Sequence, residues 1–274
     1  MPIANGNDLT SLIVPLAIEA GEAVLRHYRN GVAVETKADL TPVTAADREA
    51  EAIILSGLAR HFPAIPVVAE ESVAEGRIPK AASRFFLVDP LDGTREFVAR
   101  RGEFTVNIAL IDNESPVFGL VYAPATGELC VARDRADARE TRLDPEAARI
   151  DPSLFAWRPM RARSPDPDGL VVLASRSHLD QATSDLIGRY KVKSLANAGS
   201  SLKFCALARG TADFYPRLGR TMEWDTAAGE AVLRAAGGSV SQIDGRPMRY
   251  GKASEGYRNP GFLAWGLQAV APAA

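Results

Sequence analysis

The chain has 274 residues, is 46% hydrophobic and carries a formal net charge of −2. That length supports a substantial core, in one large domain or two smaller ones. The charge excludes a general electrostatic attraction to nucleic acid or membrane, so an anionic ligand must be gripped locally by metal, Lys/Arg or backbone N–H.

Asp8 or Thr10 can cap a first helix, in which Leu12, Ile13, Leu16, Ala17, Ala20, Val24 and Leu25 recur at helical spacing until Asn30-Gly31. Asn7 and Asp8 stand where a secretory leader would be basic, so none is expected. Residues 32–37 read as a strand. Thr44 is placed to cap a helix over 45–61, with Asp47 in its first turn. For Asp47 alone, compensation of the helix dipole is explanation enough.

Residues 65–69 and 85–88 then read as two buried strands. The first is tipped by Glu70-Glu71. The second runs into Asp89-Pro90-Leu91-Asp92-Gly93-Thr94. Pro90 cannot donate to a sheet, so the chain should turn there. Gly93 permits close backbone approach or an unusual dihedral, and Thr94 can cap a short helix over 95–100. An isolated Asp-Gly would be a surface turn. Two strands that each end in paired acids are different, because like charges repel unless something positive lies between them. The pattern points to a divalent cation on Asp89 and Asp92, beside an anion received by the N–H groups of Gly93 and Thr94. Phosphoryl chemistry needs that pairing.

Strands are expected over 104–111 and 116–123, joined by a hairpin turn, and over 128–132. The stretch 133–168, rich in Arg, Ala and Pro, reads as a surface excursion and connection with solvated arginines. Beyond it strands (170–174, 191–195, 212–215, 239–242) alternate with helices (179–190, 201–209, 224–236). The whole is α/β (α+β) in class: an N-terminal part, residues 1–160, with two helices and a mainly antiparallel sheet, and a smaller C-terminal α/β part, residues 161–274. Asp225 lies in the first turn of the 224–236 helix. Alone it would be a cap; with the small residues Thr226-Ala227-Ala228-Gly229 behind it, it can complete a metal cage from the second part. Cys130 and Cys205 belong to no metal or redox motif and sit among apolar residues, which predicts buried free thiols and fits a reducing cytoplasm. No apolar run reaches membrane-spanning length.

Four segments, in order, resemble the inositol monophosphatase superfamily of Mg²⁺-dependent, lithium-inhibited phosphatases: Thr41-Pro42-Val43-Thr44-Ala45-Ala46-Asp47, Ala69-Glu70-Glu71-Ser72, Asp89-Pro90-Leu91-Asp92-Gly93-Thr94 and Trp224-Asp225-Thr226-Ala227-Ala228-Gly229. Within it the likeness is closest to the CysQ-type 3′(2′),5′-bisphosphate nucleotidases. It is carried by Arg95-Glu96-Phe97, the run from Gly102 to Ala109, Ser175-Arg176-Ser177-His178, Gly199-Ser200-Ser201-Leu202-Lys203-Phe204-Cys205, and Asp213-Phe214-Tyr215-Pro216-Arg217. This chain has Arg95 where such proteins usually carry Lys, and a longer Arg/Pro-rich stretch.

The resemblance implies a layered αβαβα sugar-phosphatase-like fold. It implies two or three Mg²⁺ ions, held by Glu70, Asp89, the Leu91 carbonyl, Asp92 and Asp225, with lithium as an inhibitor. Thr94 and Asp47 would orient and deprotonate a water, Glu71 would tune the metal surroundings, and Gly93 and Thr94 would bind phosphate oxygens. Ser177, His178 and Ser201 are candidates for the rest of the substrate, and Lys203 and Arg217 for its non-reacting phosphate. His178 reads equally as a surface residue and Lys203 as a solvated one. The implied activity is hydrolysis of adenosine 3′,5′-bisphosphate to AMP in the cytoplasm, with peripheral attachment to the inner membrane left open. The alternatives are an inositol-1-phosphatase or other small sugar phosphatase, and a non-catalytic partner-binding protein. Oligomeric state is left open.

Overall fold

The computed structural model describes residues 6–31, 34–36, 42–80, 82–146, 152, 155–175 and 179–272. Helix α1 (Gly6–Asn30) is followed by the short strands β1 (Val34–Thr36) and β2 (Pro42–Thr44) and by α2 (Ala45–His61). Then come β3 (Val67–Ala69), α3 (Glu70–Ala74), β4 (Arg84–Asp92), α4 (Thr94–Val98), β5 (Thr105–Asp112), β6 (Ser115–Ala123), β7 (Glu128–Asp134), β8 (Asp137–Arg142) and β9 (Arg158–Pro159). Strands β3 to β9 form one seven-stranded sheet in sequence order, antiparallel except for the β3–β4 pair. The turn between β5 and β6 puts Asn113 and Glu114 at φ of 48° and 64°, the left-handed geometry of a tight hairpin.

The second half gives β10 (Leu170–Ser175), α5 (Gln181–Ile187), β11 (Val192–Ala198), α6 (Leu202–Ala208), β12 (Phe214–Arg217), β13 (Thr221–Met222), α7 (Glu223–Ala235), β14 (Ser239–Gln242), β15 (Arg258–Asn259) and β16 (Phe262–Trp265). Five of these strands pair in the order β11-β10-β12-β16-β14.

Side-chain alternation along β4 explains the layering. Phe86 and Val88 join the core under α1 and α2, with Ile13, Val24, Ile54 and Leu58. Phe85 and Leu87 point the other way, into a core shared with Phe204 and Cys205 of α6 and with Ala228 and Val232 of α7. A strand buried on both faces reads as one unbroken apolar run, as 85–88 does. Tyr215, Phe262 and Ala264 of the five-stranded sheet reach the same central core, and Ile187 of α5 packs beyond that sheet against Phe214 and Trp265. The order is helices, sheet, helices, sheet, helix: the αβαβα layering that the resemblance implies.

Three expectations are corrected. The stretch 133–168 is not all excursion, because β8 pairs with β7 and β9 with β8. Its charged residues hid the strand, although Arg139 and Glu140 are only half-buried and pair with Asp137 and Arg209. The chain does not turn at Pro90; β4 runs on to Asp92, and the missing N–H appears as a register break between Asp89 and Asp92. Strand β16 was not anticipated, although Phe262-Leu263-Ala264-Trp265 is a short apolar run. Both cysteines are free and buried, as expected. Among the described residues no helix is long and apolar enough to cross a membrane.

Helix α7 lies directly on β6. A Cβ added at Gly119 would stand 2.5 Å from the Ala228 carbonyl oxygen and 2.6 Å from the Ala231 Cβ. Backbone and packed methyl groups cannot swing aside, so Gly119→Ala should destabilise the protein by about 1–3 kcal/mol. Thermal unfolding checks this; a melting temperature equal to that of the parent would mean that the helix rides further from the sheet.

Candidate active site

One cavity of about 230 Å³ gathers Glu70, Asp89, Asp92 and Asp225 with Leu91, Gly93 and Thr94. Each comes from the end of an element. Glu70 opens α3 just past β3, Asp89 and Asp92 sit on the broken end of β4, and Asp225 lies in the first turn of α7.

The register break at Pro90 lets the Leu91 N–H donate back to Asp89 Oδ1 at 3.0 Å. Asp92 Oδ2 receives the Ser201 N–H at 2.8 Å, Asn107 Nδ2 at 3.2 Å and Thr105 Oγ1 at 3.4 Å. Asp225 Oδ2 receives the Met222 N–H at 2.7 Å, which closes the first turn of α7. Burial pushes the Asp89 carboxyl well above its ordinary range, and the charges of Glu70, Asp92 and Asp225 push it further, against the Leu91 N–H. Burial likewise raises Asp92, to about 6, with Lys203 and its hydrogen bonds holding it there. Asp225 is raised by burial and by Asp92 and Glu70.

Among the described residues, no three His, Cys, Asp or Glu side chains are drawn together as a closed cation site. One oxygen of each of three aspartates is instead turned onto a protein N–H. The donor set nevertheless suits Mg²⁺. Asp89 Oδ2, Asp92 Oδ1 and Asp225 Oδ1 accept from no group among the described residues, the ligand atoms are all hard oxygens, and their mutual repulsion is what a cation relieves.

Asp47 stands behind this front. Its Oδ2 accepts from both the N–H and the Oγ1 of Thr44, each at 2.7 Å, so it builds the cap of α2. Its Oδ1 lies 3.2 Å from Thr94 Oγ1, which is also 3.2 Å from the Leu91 carbonyl. Asp47 is therefore both the dipole-compensating residue and the partner of Thr94. Thr94 itself is not the cap of α4. Gly93 takes that place at φ 90°, where a Cβ would lie 2.2 Å from Ser200 Oγ.

The expected substrate residues divide. Lys203 and Arg217 line the cavity, but neither is a solvated cation. Lys203 is 3% exposed and donates to the carbonyls of Ser200 at 2.7 Å and Ala198 at 3.0 Å; burial lowers its ammonium to about 8. Arg217 Nη2 donates to the Arg220 carbonyl at 3.3 Å. Ser201 turns inward: its Oγ donates to the Asp225 carbonyl at 2.8 Å and accepts from Asn107. Its neighbour Ser200 lines the cavity instead. Glu71 is buried away from the cavity, its N–H on Glu51 Oε2 at 2.8 Å. Ser177 and His178 lie outside the described residues.

Sequence reading missed three participants. Ser200 adopts φ 49° and shares its hydroxyl between the carbonyls of Asp92 and Glu103, at 2.8 and 2.9 Å. Asn107 ties Asp92 to Ser201; a buried amide inside an apolar strand was the available signal. Glu51, 3% exposed, receives the Glu71 N–H and the Ser72 hydroxyl and so fixes the start of α3 and Glu70 with it.

A family model described as the inositol monophosphatase family matches residues 6–271. The chain is 41% identical over 252 residues to the 3′(2′),5′-bisphosphate nucleotidase CysQ of Escherichia coli O157:H7, covering 91% of this chain and 96% of that one. The crystal structure of CysQ from Bacteroides thetaiotaomicron, a bacterial member of the inositol monophosphatase family, superposes with a TM-score of 0.76 at 36% identity, over 95% of this chain and 98% of the other. An inositol monophosphatase of Thermotoga maritima superposes with a TM-score of 0.75 at 25% identity, over 94% of this chain and 92% of the other.

Because Asp92 titrates higher in the folded chain than in the unfolded one, its contribution to stability is present at acid pH and is lost as pH rises through about 6. With metal removed by chelation, Asp92→Asn should therefore be more stable than the parent at pH 7.5, on the order of 1–2 kcal/mol, and no more stable at pH 4. Thermal unfolding in chelator at the two pH values checks the sign.

Proposed function

The chain belongs to the inositol monophosphatase family, and on that premise we propose that it is a Mg²⁺-dependent phosphomonoesterase converting adenosine 3′,5′-bisphosphate to AMP and phosphate. One observation carries the reading. A single cavity is lined at once by Glu70, Asp89, Asp92 and Asp225 and by Arg95, Lys203, Arg217 and Arg220. The acidic end suits a phosphate bridged by cations. The basic residues match a second anionic group on the same molecule, which inositol-1-phosphate lacks. The name of the Escherichia coli relative, a 3′(2′),5′-bisphosphate nucleotidase, supports the same substrate class.

Glu70, Asp89, the Leu91 carbonyl, Asp92 and Asp225 would hold two Mg²⁺ ions, with a third, weaker one near Glu70. Bound there, they would supply neutralising charge for the phosphate and acidify a water. The protein's own part begins with Thr94. A hydroxyl has one proton, and Thr94 Oγ1 has two acceptors at 3.2 Å, Asp47 Oδ1 and the Leu91 carbonyl. The Leu91 carbonyl is among the groups that would hold a cation, which would leave the hydroxyl to donate to Asp47 and offer its lone pairs to the attacking water. The water's proton then passes to Thr94 as Thr94 passes its own to Asp47. Thr44 keeps the carboxylate aimed through both of its donors. The Gly93 and Thr94 N–H groups are assigned to the phosphate oxygens, and lithium is expected to inhibit by competing at the carboxylates. Two buried thiols suit action in the cytoplasm.

The test is phosphate release with Mg²⁺ from adenosine 3′,5′-bisphosphate, inositol-1-phosphate and fructose-1,6-bisphosphate at equal low concentration. The nucleotide should be hydrolysed fastest, by about tenfold or more, since inositol-1-phosphate leaves the basic part unmatched and fructose-1,6-bisphosphate carries its second phosphate on a different frame. Asp89→Asn should lose at least about a hundredfold. A preference for inositol-1-phosphate would replace the substrate assignment, and full activity in Asp89→Asn would overturn the metal assignment.

A further inference from the structure

Two of the four cations on the cavity wall are already committed to protein carbonyls. Lys203 Nζ holds Ser200 and Ala198, and Arg217 Nη2 holds the carbonyl of residue 220. Arg220 is different. It is exposed, it lines the cavity, and among the described residues its guanidinium touches only Met222 Sδ, at 3.8 Å. A thioether is a weak acceptor, so the guanidinium fork stays available to a stronger one.

Its backbone, by contrast, is held at its carbonyl and through the two residues that follow it. Arg217 grips its carbonyl. Thr221 and Met222 pair with Asn259 and Arg258, Asn259 Nδ2 donates to Thr221 Oγ1 and to the Met222 carbonyl, and the Met222 N–H is held by Asp225. A free, planar, always-charged group on a rigid base beside Asp225 is suited to bidentate capture of a phosphate. The reacting phosphate belongs at the carboxylates; an exposed side chain at the cavity mouth meets a group further out.

Resting on the bisphosphate reading above, we propose that Arg220 is a specificity-determining residue that grips the second, non-reacting phosphate. Arg217, buried beneath it, then acts by positioning: its guanidinium fixes the carbonyl from which Arg220 reaches.

The test compares the parent with Arg220→Ala and Arg220→Lys on adenosine 3′,5′-bisphosphate and adenosine 3′-monophosphate. Arg220→Ala should raise KM for the bisphosphate about tenfold or more, leave kcat within about twofold, and leave KM for the monophosphate unchanged, with Lys recovering part of the loss. Calorimetric binding of the two nucleotides without metal should show the same selective weakening. An equal loss on both nucleotides would reduce Arg220 to general cavity charge and overturn the assignment, as would no loss on either. A parent that binds the bisphosphate selectively through Arg220 but hydrolyses neither nucleotide would sink the phosphatase reading and leave this one standing.

Discussion

Mutual repulsion among carboxylates at the end of β4 is the constraint around which the site is arranged. Asp89 is buried and Asp92 half-buried beside Glu70 and Asp225, and nothing in the hydrophobic layers would choose that arrangement. It persists because each of the three aspartates is met by backbone N–H groups of its own neighbourhood, from Leu91, Ser201 and Met222. Those donors come from a strand end, a helix start and a helix start respectively, where N–H groups are left over by secondary structure. The elements that hold the charges apart from solvent are thus the ones that make them tolerable.

Lys203 belongs to the same balance. A fully buried ammonium near Asp92 moderates that carboxylate, while its donors hold the carbonyls of the turn that presents Ser200 and Ser201. Ser200 adopts a backbone conformation that side chains rarely take, and its hydroxyl bridges the chain at Asp92 to the chain at Glu103. The close fit of Gly93 against that hydroxyl shows why the position following Asp92 has no side chain. Charge, strain and steric fit meet within a few residues.

Most of this architecture was legible because it rests on local rules. The 45–61 helix follows from Thr44 and the apolar spacing behind it, and the buried strand from the run at 85–88. The layered fold and the acidic end of the cavity follow from motif residues whose order is unmistakable. What stayed hidden depends on partners distant in sequence. Ser201 is a substrate candidate only through the resemblance; the packing of α6 on α7 turns it to the Asp225 carbonyl. For Lys203 a phosphate contact and a solvated lysine read equally well, because nothing local shows that Tyr215 and two carbonyls enclose it. Strand β8 was concealed by arginines and glutamates whose partners, such as Arg209 for Glu140, lie far along the chain.

The position of Asp225 in the chain has a consequence for how the protein comes into being. Asp47, Glu70, Asp89 and Asp92 all emerge within the first 92 residues, yet the cavity is closed only when α7 packs against β4, β5 and β6. During synthesis the earlier acids therefore exist without Asp225 and without the helix that covers them. A nascent or prematurely terminated chain ending before residue 223 lacks that wall of the cavity, and so cannot assemble the carboxylate set. The acidic centre is thus a property of the finished polypeptide, built from residues at both ends of the chain's order.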